Sequence, residues 1–380
     1  MPRLVASIFT AVALAFMGAA SLAAWDQQRQ LATFRPVPAT VLSRDVQRQV
    51  THNRRSRDSI SYKPRITYRY EVAGRTYTSS NVAPLTDSGS ETWARSVIGT
   101  YPPGPATAYY DPANPARAFL LPRPSFMPYP LILFASIFLT VAVGMFVLSD
   151  PAKPVPAPQR ALRPAGWYEL RPRRTSGDKM RAWFVLAAVW YGVGAAALGH
   201  YFTLARGRGP LDPSAIPLCA LYALAGLVPL GTTIYFALLR RNAADARVLV
   251  DTDRFPPGKQ FHVRVEQSLS RDLLVEKLQV CLACDATTKT RTGSKTTIST
   301  STCYDQWATA MENQAASAGQ VLSAEADLAV PDNQPGSSPD GFRDYPRYAW
   351  RISVHTSLAH SPDYRADFPI RVAGPAPQPA

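Results

Sequence analysis

The chain has 380 residues, 46% apolar and only 18% charged, with 41 Lys plus Arg against 27 Asp plus Glu for a net charge of +14. Soluble proteins carry about a quarter charged residues, yet four windows here hold none: Leu4–Trp25, Pro124–Ser149, Ala182–Ala205 and Pro213–Leu239. Each exceeds the roughly 20 residues a bilayer crossing needs, which excludes a plain soluble globular protein, an intrinsically disordered chain and a simple cytosolic enzyme.

The first helix is expected over residues 4–25, with Trp25 at the interfacial end. Small residues before Trp25 also suit a cleaved signal peptide, but the apolar run exceeds the usual 7–15 residue core of one and the only leading charge is Arg3, which favours an uncleaved anchor. Further helices are expected over 129–148, 183–204 and 216–239, the last two joined by a short turn into an antiparallel pair. These windows contain no Asp, Glu, Lys or Arg; His200 lies near a helix end and Cys219 in the last helix. Ion and proton paths depend on intramembrane ionisable groups, so a transporter is not the expectation. Pro229 reads as a kink, and Gly192, Gly194 and Gly199 as sites of close helix approach.

Charge placement sets the orientation. The segment Asp26–Arg123 carries +7, Asp150–Arg181 carries +5, and the tail Arg240–Ala380 is neutral. The excess lies beside the helices and no recognition motif accompanies it, so it points to the bilayer and not to nucleic acid. The Lys/Arg-rich loop 149–182 and the Arg240-Arg241 start of the tail are expected to be cytoplasmic by the positive-inside rule. Both termini are then cytoplasmic and residues 26–123 extracytoplasmic, in a multi-pass protein of the inner (plasma) membrane. The 26–123 loop is basic too, but long loops translocate largely regardless of charge.

Within 26–123, Ile66, Tyr68, Tyr70 and Val72 alternate with Arg65, Thr67, Arg69 and Glu71, the pattern of a half-buried strand. Ala73-Gly74 reads as a two-residue hairpin turn that sets Tyr70 opposite Tyr77. Strands are also expected at Pro38–Ser43 and Ala106–Tyr110, with a short helix at Glu91–Gly99 capped by Ser88 or Ser90. Arg54, Arg55 and Arg57 fall on a polar loop, as a solvated tip or an interaction or lipid-facing patch. Asp111-Pro112 and Asn114-Pro115 are turn formers.

Pro64, Tyr68, Tyr70, Val72, Gly74 and Tyr77, followed by Tyr101-Pro102-x-Gly104 and Tyr110-Asp111-Pro112-x-Asn114-Pro115, resemble the bacterial membrane family called domain of unknown function 3592 (DUF3592) over about residues 1–150. The resemblance implies a helix, a β module and a second helix. It brings no reaction and no catalytic residue.

The Pro-rich basic linker 149–182 is expected to be extended. Its Arg171, Arg173 and Arg174 act as topology determinants or as contacts to anionic lipid. From Ala246 onward the pattern turns to β, with about seven strands between 245 and 373 and a disordered tail at 374–380. Phe255-Pro256-Pro257-Gly258, Tyr348-Ala349-Trp350 and Pro362-Asp363-Tyr364 are similar to arrestin-like and immunoglobulin-like sandwiches, domains that generally bind proteins. The expected fold is therefore a multi-domain membrane protein: four transmembrane α-helices with two all-β soluble modules. Loop one would be a small β-barrel or sandwich, and the C-terminus a seven-strand-like β-sandwich.

Cys281 and Cys284 sit three apart on a strand and should face opposite ways. A Gly293-Ser294 turn would set Cys284 directly opposite Cys303, close enough for a disulfide. This pair reads as packed thiols, a redox switch or a metal site, with the reduced form expected in the cytoplasm. No nucleophile elbow, zinc-protease, P-loop or dinucleotide motif occurs in a fitting context. His52, His200, His262, His355 and His360 are scattered, though His355 and His360 flank a turn and could meet. The reading is an integral membrane interaction or scaffolding protein, not an enzyme, with no cofactor, no metal, no nucleic acid and no inferable small-molecule substrate. Its partners are the bilayer and an unidentified protein. A redox-responsive or envelope-sensing relay is the alternative, and an uncharacterised membrane enzyme a further one.

Overall fold

The computed structural model describes residues 2–51, 59–85, 91–148, 155–161, 165–208, 211–292, 295–339, 342 and 344–374. In chain order the elements begin with α1 (Pro2–Thr33), β1 (Arg35–Thr51), β2 (Ser59–Val72), β3 (Arg75–Ser79), α2 (Glu91–Thr100), β4 (Gly104–Asp111), β5 (Asn114–Phe119) and α3 (Pro128–Leu148). Then follow β6 (Gln159–Arg160), β7 (Tyr168–Leu170), α4 (Ser176–Ala205), α5 (Ala215–Ala225) and α6 (Leu227–Asn242). The tail holds β8 (Arg247–Val250), β9 (Gln260–Ser268), β10 (Leu273–Thr292), β11 (Lys295–Ala316), β12 (Val321–Ala329), β13 (Arg347–Leu358) and β14 (Tyr364–Ile370). Four helical stretches are long and apolar enough to cross a membrane: Leu4–Thr33, Pro128–Leu148, Ser176–Ala205 and Ala215–Asn242.

The chain divides into two units, Met1–Phe146 with Ala188–Leu227, and Val147–Ala187 with Val228–Ala380. In the first, β1 to β5 form one antiparallel sheet in the order β3-β2-β1-β4-β5. Its end strands β3 and β5 meet, the Ser79 hydroxyl donating to Ala118 O at 3.2 Å, so the sheet curls in the manner of the expected small barrel and is not a two-sheet sandwich. A second sheet is unnecessary because α2 lays Val97 and Ile98 over the apolar face of β1 and β2, where Ile66, Tyr68 and Tyr70 are buried. The Ala73-Gly74 turn forms with both residues at positive φ, and Tyr70 stands opposite Tyr77 with ring centroids 5.7 Å apart. Asp111 accepts a hydrogen bond from the Ala113 amide, a turn role. The expected caps Ser88 and Ser90 lie outside the described residues.

The sheet is tied to the helices at a buried point. α1 runs past the expected residue 25 to Thr33 and enters β1 through Phe34 alone, whose ring stacks on Phe119 at 5.1 Å. On that extension Gln27 is fully buried; its side chain accepts from the Ser125 amide at 2.7 Å and donates to the Ser125 carbonyl at 3.2 Å. Both polar groups of a buried backbone unit are thereby satisfied.

The fourth stretch is not one helix. It breaks at Gly226 between α5 and α6, and Pro229 cannot donate to the carbonyl four residues before it. The neighbouring carbonyls find partners on α4: the Trp190 indole donates to Tyr222 O at 3.1 Å and the Tyr191 hydroxyl to Ala223 O at 3.2 Å. A bilayer interior supplies no water for such groups. A Cβ at Gly226 would stand 2.6 Å from the Tyr191 ring, and one at Gly194 would enter the Tyr222 ring, which stacks on Trp190 at 4.4 Å. Of the three glycines expected to permit close approach, only Gly194 meets a neighbour; nothing lies within 4 Å of a Cβ at Gly192 or Gly199.

In the second unit two sheets share one core, β11-β10-β13-β14 and β12-β9-β8-β7-β6. The seven tail strands are β8 to β14. The linker supplies β6 and β7, so residues 159–160 and 168–170 are paired strands and not the extended spacer expected: Leu170 pairs with Val248 and is buried. Buried Gln267 bridges the sheets, accepting from Thr356 at 2.9 Å and donating to Ala244 O at 3.0 Å. Side chains of α4 and α6 attach to the loop before β14 and to its first residues. Tyr235 donates to Asp363 O at 2.8 Å, Lys179 to Arg365 O at 2.9 Å, and Asn242 to the Ser361 hydroxyl at 2.8 Å.

Overpacking a close helix contact costs about 1–3 kcal/mol. Gly194→Ala should therefore lower the unfolding midpoint of the detergent-solubilised protein, while Gly192→Ala leaves it unchanged; thermal denaturation of both variants checks this.

Candidate functional site

Strands β10 and β11 form a hairpin longer than the sheet that carries it. β13 accompanies β10 only from Val275 to Thr287. Beyond that point Thr288 to Thr292 pair solely with Lys295 to Ser299, as a two-stranded ribbon. Among the described residues 289–291 and 296–299 all are exposed. Such a ribbon is marginal without cross-strand support. Hydroxyl pairs supply it, Thr287 with Thr300 and Thr288 with Ser299, each at 3.0 Å. The turn residues Gly293 and Ser294 lie outside the described residues, but Thr292 pairs with Lys295, as a two-residue turn requires.

The register departs from the expected one at the cysteines. It holds from the turn to Asp285 opposite Thr302, and then Cys284 pairs with Tyr304. Cys303 is the extra residue of a β-bulge, so it does not stand directly opposite Cys284. Its thiol donates to the Cys284 carbonyl at 3.2 Å, which satisfies the ladder group the bulge disrupts. All four cysteines are free. Cys284 is in the core, Cys281 faces away from it, and Cys303 is exposed. Burial pushes both the Cys281 and the Cys284 thiols up, and for Cys284 the adjacent Cys303 adds to the effect. Nucleophilic and redox cysteines need the opposite shift.

The bulge has a second effect that alternation alone does not reveal. Side chains switch faces every residue, so Ile298 and Trp307, an odd number apart, would lie on opposite faces of an unbroken strand. The extra residue restores them to one face, opposite Lys289 and Cys281. Both are 48% exposed. Between them on that face lie Thr300, Thr302 and Asp305; the Trp307 indole donates to Asp305 at 2.9 Å. Asp285 accepts from Thr302 at 3.0 Å and is ion-paired with Arg351. β11 is the outer strand of its sheet.

Arg54, Arg55 and Arg57 lie outside the described residues. Arg171 donates to the Gln159 side chain at 2.9 Å, bracing β6 against the loop after β7. The Arg173 amide donates to Asp367 O at 2.8 Å. Arg174 donates to Val147 O at 3.2 Å, at the end of α3, where an orphan carbonyl and the helix dipole favour a cation. His200 links Tyr129 and the Gln28 side chain, each at 3.0 Å. His355 approaches Asp363 at 3.5 Å. Among the described residues no group of three or more His, Cys, Asp and Glu is placed to hold a metal.

Labelling the native full-length protein in a Cys219→Ala background should modify Cys303 quickly. Cys281 and Cys284 should react only after denaturation, with the same pattern with and without reductant. Reactivity at Cys284 that appears only on reduction would show a disulfide instead.

Comparison with known proteins places part of this architecture. No curated protein matches the chain. Among solved structures, the chain is similar to Spo0M, a sporulation control protein from Bacillus subtilis, at 10% identity and a TM-score of 0.29. That match covers 35% of this chain and 50% of that one, so the chain spans about half of the solved protein's length. Residues 37–125 match the family described as Domain of unknown function (DUF3592), and they are the five-stranded sheet, its covering helix α2, and the approach to α3 that Gln27 locks in place.

Proposed function

We propose that this is a membrane-anchored interaction protein, held in the inner membrane by four crossings. Both termini would be cytoplasmic and residues 26–123 extracytoplasmic, as the distribution of Lys and Arg favours. The working surface is the outer edge of β11, with its ribbon extension, and it takes an extended segment of a protein partner by strand addition. The observation that carries this reading is the outer strand β11, exposed from Thr296 to Cys303, with exposed Ile298 and Trp307 brought onto one face by the Cys303 bulge. Long exposed edges invite pairing. Recognition by strand addition draws affinity from the backbone and specificity from alternate side chains, and here Ile298, Thr300 and Thr302 are the alternate side chains on offer. The raised thiol pKa values of Cys281 and Cys284 speak against the redox-relay alternative.

A photocrosslinking residue placed at Thr300 of the full-length protein in native membranes should give one reproducible protein adduct. Replacing 288–299 with a two-residue Asn-Gly turn should abolish capture by a crosslinker at Thr302 while the unfolding midpoint holds. No adduct at Thr300, or equal capture at a control position such as Arg65, would contradict the reading.

A further inference from the structure

We infer that the first unit carries a binding site for the phosphate headgroup of an anionic glycerophospholipid, in a cavity of about 420 Å3 beneath helix α2. The volume falls within the roughly 300–1,000 Å3 of small-ligand pockets. Its floor is built from residues at the ends of three apolar helices. Arg123 lies five residues before α3, Arg208 three residues after α4, and Asp212 three residues before α5. Residues at those positions stand where hydrocarbon gives way to headgroups. Its roof is α2 and the residue after it, through Trp93, Val97 and Tyr101.

The chemistry of the lining selects an anion. Arg123 and Arg208 are both half-buried, and neither is ion-paired with a described carboxylate. Arg208 spends one N–H on the Leu204 carbonyl at the end of α4 and keeps the rest of its donor fork. Asp212, the acidic member of the lining, is already engaged. Its carboxylate accepts from the Ser214 amide at 2.9 Å and the Ser214 hydroxyl at 2.5 Å, and its own amide donates to the Tyr201 hydroxyl at 3.1 Å. Two guanidinium forks on one cavity suit a phosphate diester, which they can engage with paired charge-assisted bonds. Trp93 and Tyr101 supply the amphipathic walls typical of the headgroup layer. The site differs in place and residues from the basic stretches that the sequence marks for lipid.

The test uses the purified full-length protein in a mild detergent, titrated with phosphatidylglycerol or phosphatidylcholine and read by native mass spectrometry. One saturable phosphatidylglycerol adduct per chain is expected, bound more tightly than phosphatidylcholine. Arg123→Gln and Arg208→Gln should each weaken it about tenfold, the order of one lost charge-assisted contact. Arg123→Lys and Arg208→Lys should retain more binding than the Gln variants, and Arg95→Gln, on the exposed face of α2, should change nothing. Should either Gln variant fail to fold, Val97→Trp, which fills the cavity and keeps both charges, should still block the adduct. Equal binding of the two lipids, or full binding by Val97→Trp, overturns the proposal. Displacement by millimolar glycerol phosphate as effective as by the lipid assigns the site to a soluble phosphate ester and equally overturns it.

Discussion

A hydrocarbon layer offers a peptide backbone no hydrogen-bond partner, and this requirement governs where every other element of the chain can lie. Segments separated by two crossings must emerge on the same face. The segment 34–127 and the turn between α4 and α5 are so separated, by α3 and α4, and within the first unit they share a cavity. The linker before α4 and the tail after α6 are likewise separated by two crossings, and within the second unit Tyr168–Leu170 pairs with Val248–Val250. The first contact fits α3 and α4 crossing once each, and the second fits α4 and the broken α5–α6 stretch doing the same. The same requirement explains the aromatic residues on α4 that serve the carbonyls beside Gly226, where a soluble protein would leave them to water.

Both β modules are fixed to the helices by short polar contacts beside apolar ones such as Leu239 in the sandwich core and Phe34 on Phe119. Gln27 closes on a single backbone unit at Ser125, and removing it would strand a buried donor and acceptor at once. In the second unit three side chains from α4 and α6 reach the segment 361–365. Hydrogen bonds of this kind are directional, so they set orientation where a greasy face would allow sliding.

Periodic features were legible in the sequence. Four charge-free windows became four long apolar helices, strict alternation around Ala73-Gly74 became a hairpin with Tyr70 opposite Tyr77, and seven strands followed Ala246. What was not legible depended on single residues or on distant partners. The bulge at Cys303 adds one residue to a regular run, and counting outward from the turn cannot see where pairing slips; with it went the shared face of Ile298 and Trp307. The strand at Tyr168–Leu170 is three residues long, and its partner lies some 80 positions away across α4, α5 and α6. That one curled sheet with α2 over its face would serve in place of two sheets depends on contacts such as Ser79 to Ala118, 39 positions apart. The lipid-surface cavity draws on residues from 64 to 213, which no local motif connects.

Mapping topology with compartment-specific reporters tests the crossing pattern most directly. Reporters inserted after Asn81 and after Arg206 should report one compartment, and those after Ala161 and at Ala380 the other. Signals from Asn81 and Ala380 in the same compartment, or from Ala161 and Ala380 in different ones, would contradict four crossings and the placement of the soluble modules that follows from them.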